Sequence, residues 1–237
     1  MSSNIHYFGM VNSTMDIARE MAKNGCPDFT VVVAEQQKNG RGRMNRAWLS
    51  DIGGLYFTLV LRPDINLTKV SIINFLISLG IVRVLRSKFN LDARVKWPND
   101  ILIFHQKICG ILSEMETESD SDSVKFINIG IGLNVNNYPL VKDQNVTSLK
   151  LLLYKELDKM EILLNILDEF KKLINESFNN IVSEWKMNTI TLNKKVEIVT
   201  LKETIKGTAI DIDENGSLVL ETDEGLRKQI YYGDCFV

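Results

Sequence analysis

The chain has 237 residues, enough for one large domain or for a domain with a small appendage, and its 45% apolar and 24% charged residues are typical of a globular protein with a sizeable core. The formal net charge of −2 excludes an overall basic field for nucleic acid, so any basic patch must act locally. Three widely spaced cysteines and two histidines argue against a disulfide framework, a zinc site and a histidine-based catalytic centre.

The first part of the chain is predicted to contain both strands and helices. Asn12 and Ser13 are suited to cap a helix that runs from about Thr14 to Asn24. β-Branched and apolar runs predict strands, whereas apolar residues spaced three and four apart predict helices. The predicted strands lie at 29–35, 55–61, 94–97, 101–104, 107–116 and 124–135, and the predicted helices over 68–89 and, as a pair, within 147–185.

The last part of the chain has a different pattern. From Lys194 onward apolar residues alternate with polar ones, which is typical of strands. Asp213–Gly216 has the composition of a hairpin turn. This pattern predicts a small all-β module of about five short strands. We therefore expect one domain over 1–188 and a second over 189–237.

The most unusual run is Gly40–Trp48, which combines two glycines, three arginines and a tryptophan in the sequence GRGRMNRAW. Glycines let a backbone approach a ligand closely, and arginines present fixed forks of donors to carboxylate or phosphate. The tryptophan offers a flat face to a ring. Taken alone, the run is equally compatible with a loop that closes on a small anionic, partly aromatic ligand and with a solvated basic loop or a nucleic-acid surface.

Four further motifs occur in a fixed order around this run. They are Asn12–Asp16 (NSTMD), Lys96–Ile101 (KWPNDI), Lys107–Glu114 (KICGILSE) and Asn128–Asn136 (NIGIGLNVN). In this order and spacing the five motifs resemble those of the biotin protein ligases, and the resemblance covers nearly the whole chain. It implies an α+β fold in which a mixed sheet with packed helices is followed by a small SH3-like β-barrel.

The resemblance also implies the activity. Biotin protein ligases join the biotin carboxylate to the α-phosphate of ATP, releasing pyrophosphate, and then pass the biotinyl group to a lysine of a carrier protein. Both nucleophiles come from substrates, so the enzyme must mainly position the reactants and stabilise their charge. The expected ligands are therefore biotin and ATP, and Mg²⁺ normally accompanies the nucleotide phosphates.

The resemblance also implies which residues form the site, because each position of the family's motifs can be matched to a residue of this chain. The catalytic residues implied are Lys107, Arg43 and Asp100. Biotin would be bound by Ser13, Thr14, Gln37, Gly40, Arg41, Lys107, Gly110, Ile111, Leu112, Gly130 and Gly132. ATP or the adenylate would be bound by Arg41, Arg43, Arg46, Trp48, Asn99, Lys107 and Asn134.

Several of these residues have simpler explanations that stay open. Arg46 is also suited to a solvated surface. The alternative role of Ser13 is simply to cap the helix, without contacting a ligand. Lys107 alone would be an ordinary hairpin lysine, but its place beside Gly110-Ile111-Leu112 favours the site. Asn99 and Asp100 form a common type of turn after proline. In the family the aspartate lies where the carrier lysine arrives, so Asp100 would orient that amine or accept its proton.

The chain departs from the family pattern at three positions. Met15 stands where many members have asparagine, which removes one polar contact to biotin. Asn45 replaces a glycine between the second and third arginines, but asparagine tolerates left-handed dihedral angles. Ala47 replaces a frequent basic residue. None of the three removes a charge that the chemistry requires.

The expected partner is the biotin carboxyl carrier protein of a biotin-dependent carboxylase such as acetyl-CoA carboxylase. About a dozen residues precede Ser13, so we expect no DNA-binding domain. Neither a signal peptide nor an apolar stretch that could span a bilayer is predicted, which favours a cytoplasmic location without membrane attachment. The resemblance permits a homodimer. The alternatives are a lipoate or other acyl-protein ligase of the same superfamily, a non-catalytic biotin binder and a nucleic-acid-binding module.

Overall fold

The structure is a computed structural model that describes residues 4–65, 70–118, 123–140 and 145–237. The chain divides into two compact units, one formed by 1–67 with 105–163 and the other by 68–104 with 164–237. The predicted division at 188/189 stays a prediction. Within the described residues the α-helices are α1 (Thr14–Lys23), α2 (Val70–Phe89), α3 (Leu149–Leu153), α4 (Lys159–Leu173) and α5 (Phe178–Asn188).

Twelve strands are found in the described residues. Seven precede α3, namely β1 (Asn4–Val11), β2 (Thr30–Gln37), β3 (Leu55–Leu61), β4 (Ala93–Lys96), β5 (Asp100–Ile103), β6 (Gln106–Thr117) and β7 (Val124–Leu133). Five follow α5, namely β8 (Lys195–Val199), β9 (Thr204–Ile212), β10 (Leu218–Thr222), β11 (Arg227–Ile230) and β12 (Asp234–Phe236).

The first unit is built on a mixed sheet in which the strands follow the order β1-β2-β3-β7-β6. β1 pairs with β2 in parallel, and the other neighbours are antiparallel. The apolar side of α1, including Ala18 and Ala22, packs on Val32, Val60 and Phe126 of three strands. Burial of these side chains fixes α1 across one face of the sheet.

The second unit combines helices with a small sheet. The rings of Phe75 in α2 and Trp185 in α5 stack with their centroids 4.4 Å apart, and the Trp185 indole N–H donates to Ser78 Oγ at 3.2 Å. β4 and β5 form an antiparallel hairpin. The five C-terminal strands form one sheet in the order β11-β10-β9-β8-β12, and among the described residues no ladder joins β11 to β12 to close it.

Several sequence predictions need correction or extension. β1 was not predicted, since it is a half-exposed edge strand whose apolar residues do not alternate regularly. The region 147–185 contains three helices where a pair was expected, because Tyr154 ends α3 in a left-handed conformation. The predicted helix over 68–89 is described from Val70, and its first two residues lie outside the described part.

The expectation that no apolar stretch is long enough to cross a bilayer is wrong for α2. This helix has 20 residues, and its length and mean hydropathy of 1.6 would suffice for a membrane span. However, 67% of the most apolar 18-residue stretch of α2 is buried inside the protein, as in the core helix of a folded domain. The helix is therefore weak evidence for a membrane span.

Candidate active site

Three glycines create a bare patch on the face of the sheet that carries α1. Gly110 of β6 lies directly opposite Gly132 of β7, and Leu112 lies opposite Gly130. Residues opposite one another in a ladder point to the same face, so the three glycines share one face. We call Gly110, Gly130 and Gly132 the glycine shelf. Ile111 is buried and points to the other face of the sheet, so only its backbone can serve a ligand on the shelf.

Two side chains pack directly on the glycine shelf. A Cβ atom at Gly132 would lie 2.3 Å from Trp48 Nε1, and one at Gly110 would lie 2.7 Å from Trp48 Cζ3. At Gly130 it would lie 2.7 Å from Met15 Sδ. The sequence predicts that these glycines leave space beside a ligand, and the structure shows Trp48 and Met15 at that space. The Trp48 indole N–H is buried and has no hydrogen-bond partner in the described residues.

Lys107 places its ammonium group over the same indole ring. Its Nζ atom lies 5.3 Å from the centroid of the Trp48 ring, which is cation–π distance. The backbone of Lys107 is held by two hydrogen bonds, to the carbonyl of Asn145 and from the amide of Thr147. The predicted cationic residue and the predicted aromatic residue therefore lie together beside the shelf.

The residues predicted to bind the biotin ring system meet at the start of α1. Ser13 caps the helix, accepting from the Met15 amide at 3.3 Å, so the capping interpretation of Ser13 has a geometric basis. Gln37 Oε1 accepts from both the Thr14 amide and the Thr14 hydroxyl, at 2.8 and 3.1 Å. The Gln37 amide group then donates to Ser50 Oγ at 2.8 Å. This partly buried network ties the helix N-terminus to Ser50, just after the glycine–arginine loop.

The glycine–arginine loop, Gly40–Trp48, is folded as a narrow hairpin. The Trp48 amide donates to the Gly40 carbonyl at 2.8 Å, and the Gly42 amide donates to the Arg46 carbonyl at 2.7 Å. Asn45 adopts a left-handed conformation with φ of 57°. The expectation that asparagine preserves this turn in place of glycine is confirmed.

Arg41 and Arg46 of the loop have different partners. The Arg41 guanidinium lies 3.1 Å from Asp16 Oδ1 and 3.4 Å from Glu114 Oε2, so two carboxylates of the protein already surround it. Arg46 Nε donates to the carbonyl of Arg43 at 3.2 Å within the loop. Arg41 is thus placed on the α1 side of the loop, beside acidic residues that sequence reasoning missed.

Asn134 is built into the framework of the loop that follows β7. It is buried, its Nδ2 donates to the Thr147 carbonyl at 3.0 Å, and its Oδ1 accepts from Asn137 at 3.0 Å. Asn136 makes two hydrogen bonds with the backbone of Leu157, at 2.9 and 3.0 Å. The predicted contact of Asn134 with the adenylate stays a prediction, since both ends of its side chain hold the protein itself.

Asn99 and Asp100 lie in the second unit, at the turn between β4 and β5. Asp100 begins β5 directly opposite Lys96. Trp97 is buried, and its amide donates to the Thr191 hydroxyl at 2.9 Å, which anchors the turn. The structure therefore supports a structural role for Trp97. The roles of Asn99 at the nucleotide and Asp100 at the carrier lysine stay predictions.

Two other polar side chains border the shelf on β3. Tyr56 lies opposite Gly132, and Thr58 lies opposite Gly130. Burial raises the pKa of Tyr56, whose hydroxyl donates to the Asp51 carbonyl at 2.8 Å. Thr58 donates to the Thr14 hydroxyl at 2.8 Å. Their sequence gives no motif, and only the register of the sheet identifies them.

Comparisons with protein families match both parts of the chain. The profile of the Biotin/lipoate A/B protein ligase family matches residues 7–134, and that of the Biotin protein ligase C terminal domain matches residues 191–237. The first match contains the glycine–arginine loop, the KWPND turn and the glycine shelf.

Individual relatives match over nearly the full chain. The Bifunctional ligase/repressor BirA of Bacillus subtilis is 37% identical over 99% of this chain and 74% of its own length. The Biotin–[acetyl-CoA-carboxylase] ligase of Mycobacterium tuberculosis is 27% identical over 89% of this chain and 80% of its own length. A structure of Biotin protein ligase from Aquifex aeolicus in complex with biotin and ATP superimposes with a TM-score of 0.83, at 27% identity, covering 99% of this chain and 98% of that one.

Proposed function

The chain belongs to the Biotin/lipoate A/B protein ligase family, and on that basis we propose that the glycine shelf and the glycine–arginine loop form the active site of an ATP-dependent biotin protein ligase. The observation that carries this assignment of the site is the Lys107 ammonium beside Trp48 on the shelf. A carboxylic acid with a fused-ring head requires a cation, an aromatic ring and a strand surface free of side chains.

The enzyme activates biotin and transfers it. In the first step a carboxylate oxygen of biotin attacks the α-phosphorus of ATP, and the bond to the pyrophosphate oxygen breaks. Lys107 and Arg43 bring fixed positive charge to these two anions, and in this way they lower the repulsion between them. The Lys107 ammonium, on a flexible stem, can follow the charge as it moves from carboxylate to phosphate.

In the second step a lysine amine of the carrier protein attacks the acyl carbon of the adenylate. The bond between that carbon and the phosphate oxygen breaks, and AMP leaves. Asp100 orients the incoming amine and accepts its proton. The glycine–arginine loop, with Arg43 and Arg46, covers the mixed anhydride and keeps water from it until the carrier arrives.

Mg²⁺ would enter this site with the nucleotide. Within the described residues no group of three or more His, Cys, Asp or Glu side chains is placed to hold a metal ion. The ATP phosphates are the hard oxygen ligands that Mg²⁺ prefers, and a protein needs to add only one or two carboxylates. When bound, the ion would neutralise charge on the phosphates.

The acceptor is a biotin carrier protein, as the names of the ligase relatives imply. We assign it to the carrier domain of acetyl-CoA carboxylase or a similar biotin-dependent carboxylase. A cytoplasmic location, the absence of DNA binding and of membrane attachment, and self-association as a homodimer stay predictions.

The test is mass spectrometry of a biotin carboxyl carrier domain after incubation with this protein, biotin and MgATP. A biotin-sized mass gain on one lysine, absent without ATP, is the expected result. Consumption of lipoate in place of biotin would overturn the substrate assignment. Pyrophosphate release without any mass gain on several carriers would retain the activation step and overturn the proposed acceptor.

A further inference from the structure

A stripe of charged residues on α1 faces two glutamates on β6. Asp16, Arg19 and Lys23 are three and four residues apart, so they lie on one side of the helix. Glu114 and Glu116 are two residues apart on β6, so they point to one face of the sheet. The two sets meet in the ion pairs Arg19–Glu114 and Lys23–Glu116, the latter at 3.4 Å.

Arg41 of the glycine–arginine loop inserts into this stripe at its end near the site. Its guanidinium lies 3.1 Å from Asp16 on α1 and 3.4 Å from Glu114 on β6. Its side chain is 37% exposed, and that of Glu114 is 25% exposed. One arginine therefore bridges helix α1 and strand β6 next to the glycine shelf.

The bridge extends from Arg41 to the indole on the shelf through the loop backbone. Arg41 pairs with Ala47 across the narrow hairpin, and Trp48 follows Ala47 directly. The Trp48 amide is fixed to the Gly40 carbonyl, next to Arg41, at 2.8 Å. Holding the Arg41 side chain thus restrains the position of the Trp48 ring on the shelf.

We infer that Asp16 and Glu114 are positioning residues for biotinyl-adenylate retention, which they serve by fastening the glycine–arginine loop through Arg41. This inference rests on the proposed ligase function, and it gives Arg41 a different role from the one that the family resemblance implies. If Arg41 instead contacts the biotin carboxylate or the phosphate, the two acidic side chains compete with the ligand. The two roles predict opposite effects of removing the Glu114 charge.

The first measurement is the dissociation rate of preformed biotinyl-adenylate from the Glu114→Gln variant. If Glu114 fastens the loop, the variant should lose the adenylate about two- to fivefold faster than the wild type, the range for a partly exposed ion pair. Slower dissociation or tighter biotin binding would overturn the inference, because it would mean that Glu114 competes for Arg41.

The matched control is Glu116→Gln. It removes an ion pair between the same strand and the same helix, Lys23–Glu116, which does not touch the loop. Its dissociation rate is expected to equal that of the wild type, and an effect as large as that of Glu114→Gln would overturn the inference. Adding Glu114→Gln to Arg41→Gln should change the rate no further, because Glu114 reaches the loop through Arg41, whereas its other ion pair, with Arg19, lies on α1. A full additional effect in the double variant would also overturn it.

Tryptic cleavage after Arg43 or Arg46, followed by mass spectrometry without any ligand, separates this inference from the proposed function. A released loop should be cut about two- to fivefold faster in Glu114→Gln and not in Glu116→Gln. Equal cleavage in both variants would overturn the fastening. If the wild-type protein forms no adenylate but Glu114→Gln is still cut faster than Glu116→Gln, the ligase function is overturned and the fastening of the loop is retained.

Discussion

At the scale of single residues, the charges carried by Lys107 and Arg43 should decide adenylate formation and retention. Lys107→Ala removes the ammonium that lies 5.3 Å from the Trp48 ring centroid, and Arg43→Ala removes a guanidinium from the covering loop. Because each charge would stabilise anions in a site from which water is excluded, we expect activation to fall by about a hundredfold for Lys107→Ala. Arg43→Ala should mainly weaken adenylate retention.

Pyrophosphate release from biotin and MgATP measures the first effect, and the dissociation rate of the adenylate measures the second. Lys125→Ala is the control, since Lys125 is an exposed lysine on β7 outside the candidate site. Wild-type turnover in both site variants would show that the active site has been placed wrongly.

The glycine shelf gives a second prediction for a single residue. In Gly132→Ala the new Cβ atom would lie 2.3 Å from Trp48 Nε1, so the indole must move. Overpacking of this kind costs about 1–3 kcal/mol. We expect a Tm lowered by several degrees and weaker binding of biotin in calorimetry. Gly9→Ala is the matched change, because no atom lies within 4 Å of its Cβ position. Equal effects of the two variants would contradict the tight packing of Trp48.

The sequence predicted the residue types of the site better than their contacts. The left-handed turn at Asn45 follows from local dihedral preferences and was predicted. The ion pairs of Arg41 depend on α1 and β6, which are distant in sequence, and no motif records them. Asp16, Arg19 and Lys23 are spaced to share one side of a helix, but only the ion pairs of the folded chain show that this side faces Glu114.

At the scale of elements, a carboxylate on β2 ties the sheet to the start of α4. Glu35 accepts from Lys159 at 2.5 Å and from the Tyr7 hydroxyl. Burial acts to raise the pKa of Glu35, but the hydrogen bonds from Lys159 and Tyr7 outweigh it and hold the pKa below its ordinary value of 4.5. The charged form is therefore favoured in the folded protein.

The pH dependence of stability follows from this lowered pKa. The ionised Glu35 adds stability above its unfolded pKa, and this stability is lost as the pH falls through the lower folded value. At pH 7 we expect Glu35→Gln to lower the Tm by about 2–4 °C, the equivalent of about 1 kcal/mol. The difference should vanish at acidic pH. The measurement is scanning calorimetry, and the control is Glu20→Gln, since Glu20 is an exposed residue of α1. The same pH dependence in both variants would refute the role of Glu35.

Elements with a strong internal pattern were predicted well. β3 lies at the predicted residues 55–61, and the period-two pattern after Lys194 corresponds to five strands. β1 escaped prediction because an edge strand with exposed Tyr7 and Met10 lacks a buried face with regular alternation. The break between α3 and α4 depends on Tyr154, whose left-handed conformation no local preference announces.

At the scale of the whole molecule, ligand binding should raise the stability of the folded chain. A ligand present at 100 times its Kd adds about 2.7 kcal/mol, which corresponds to about 5–10 °C in Tm for a protein of this size. Biotin with MgATP should raise the Tm more than either alone, because the adenylate gathers both sets of contacts in one molecule. Lipoate with MgATP is the control, and an equal shift would contradict selectivity for biotin.

Composition and charge alone placed the chain only among globular proteins. Its class of fold and its function came from the order of five short motifs, each weak by itself. Several members of these motifs, such as Trp97 and Asn134, hold the protein framework, so the motifs record architecture as well as chemistry. The division of the chain into compact units could not be predicted, since 68–104 separates from its sequence neighbours.

The fit of Trp48 on Gly110 and Gly132 has a consequence for how such a protein can change over time. A side chain added at either glycine is tolerated only if residue 48 becomes smaller in the same lineage, and a smaller residue 48 leaves the Lys107 ammonium without its ring. Four positions spread over 85 residues of chain are thus expected to vary together or not at all. An evolutionary path to a new acyl substrate would have to begin elsewhere, for example at Met15, which packs on Gly130.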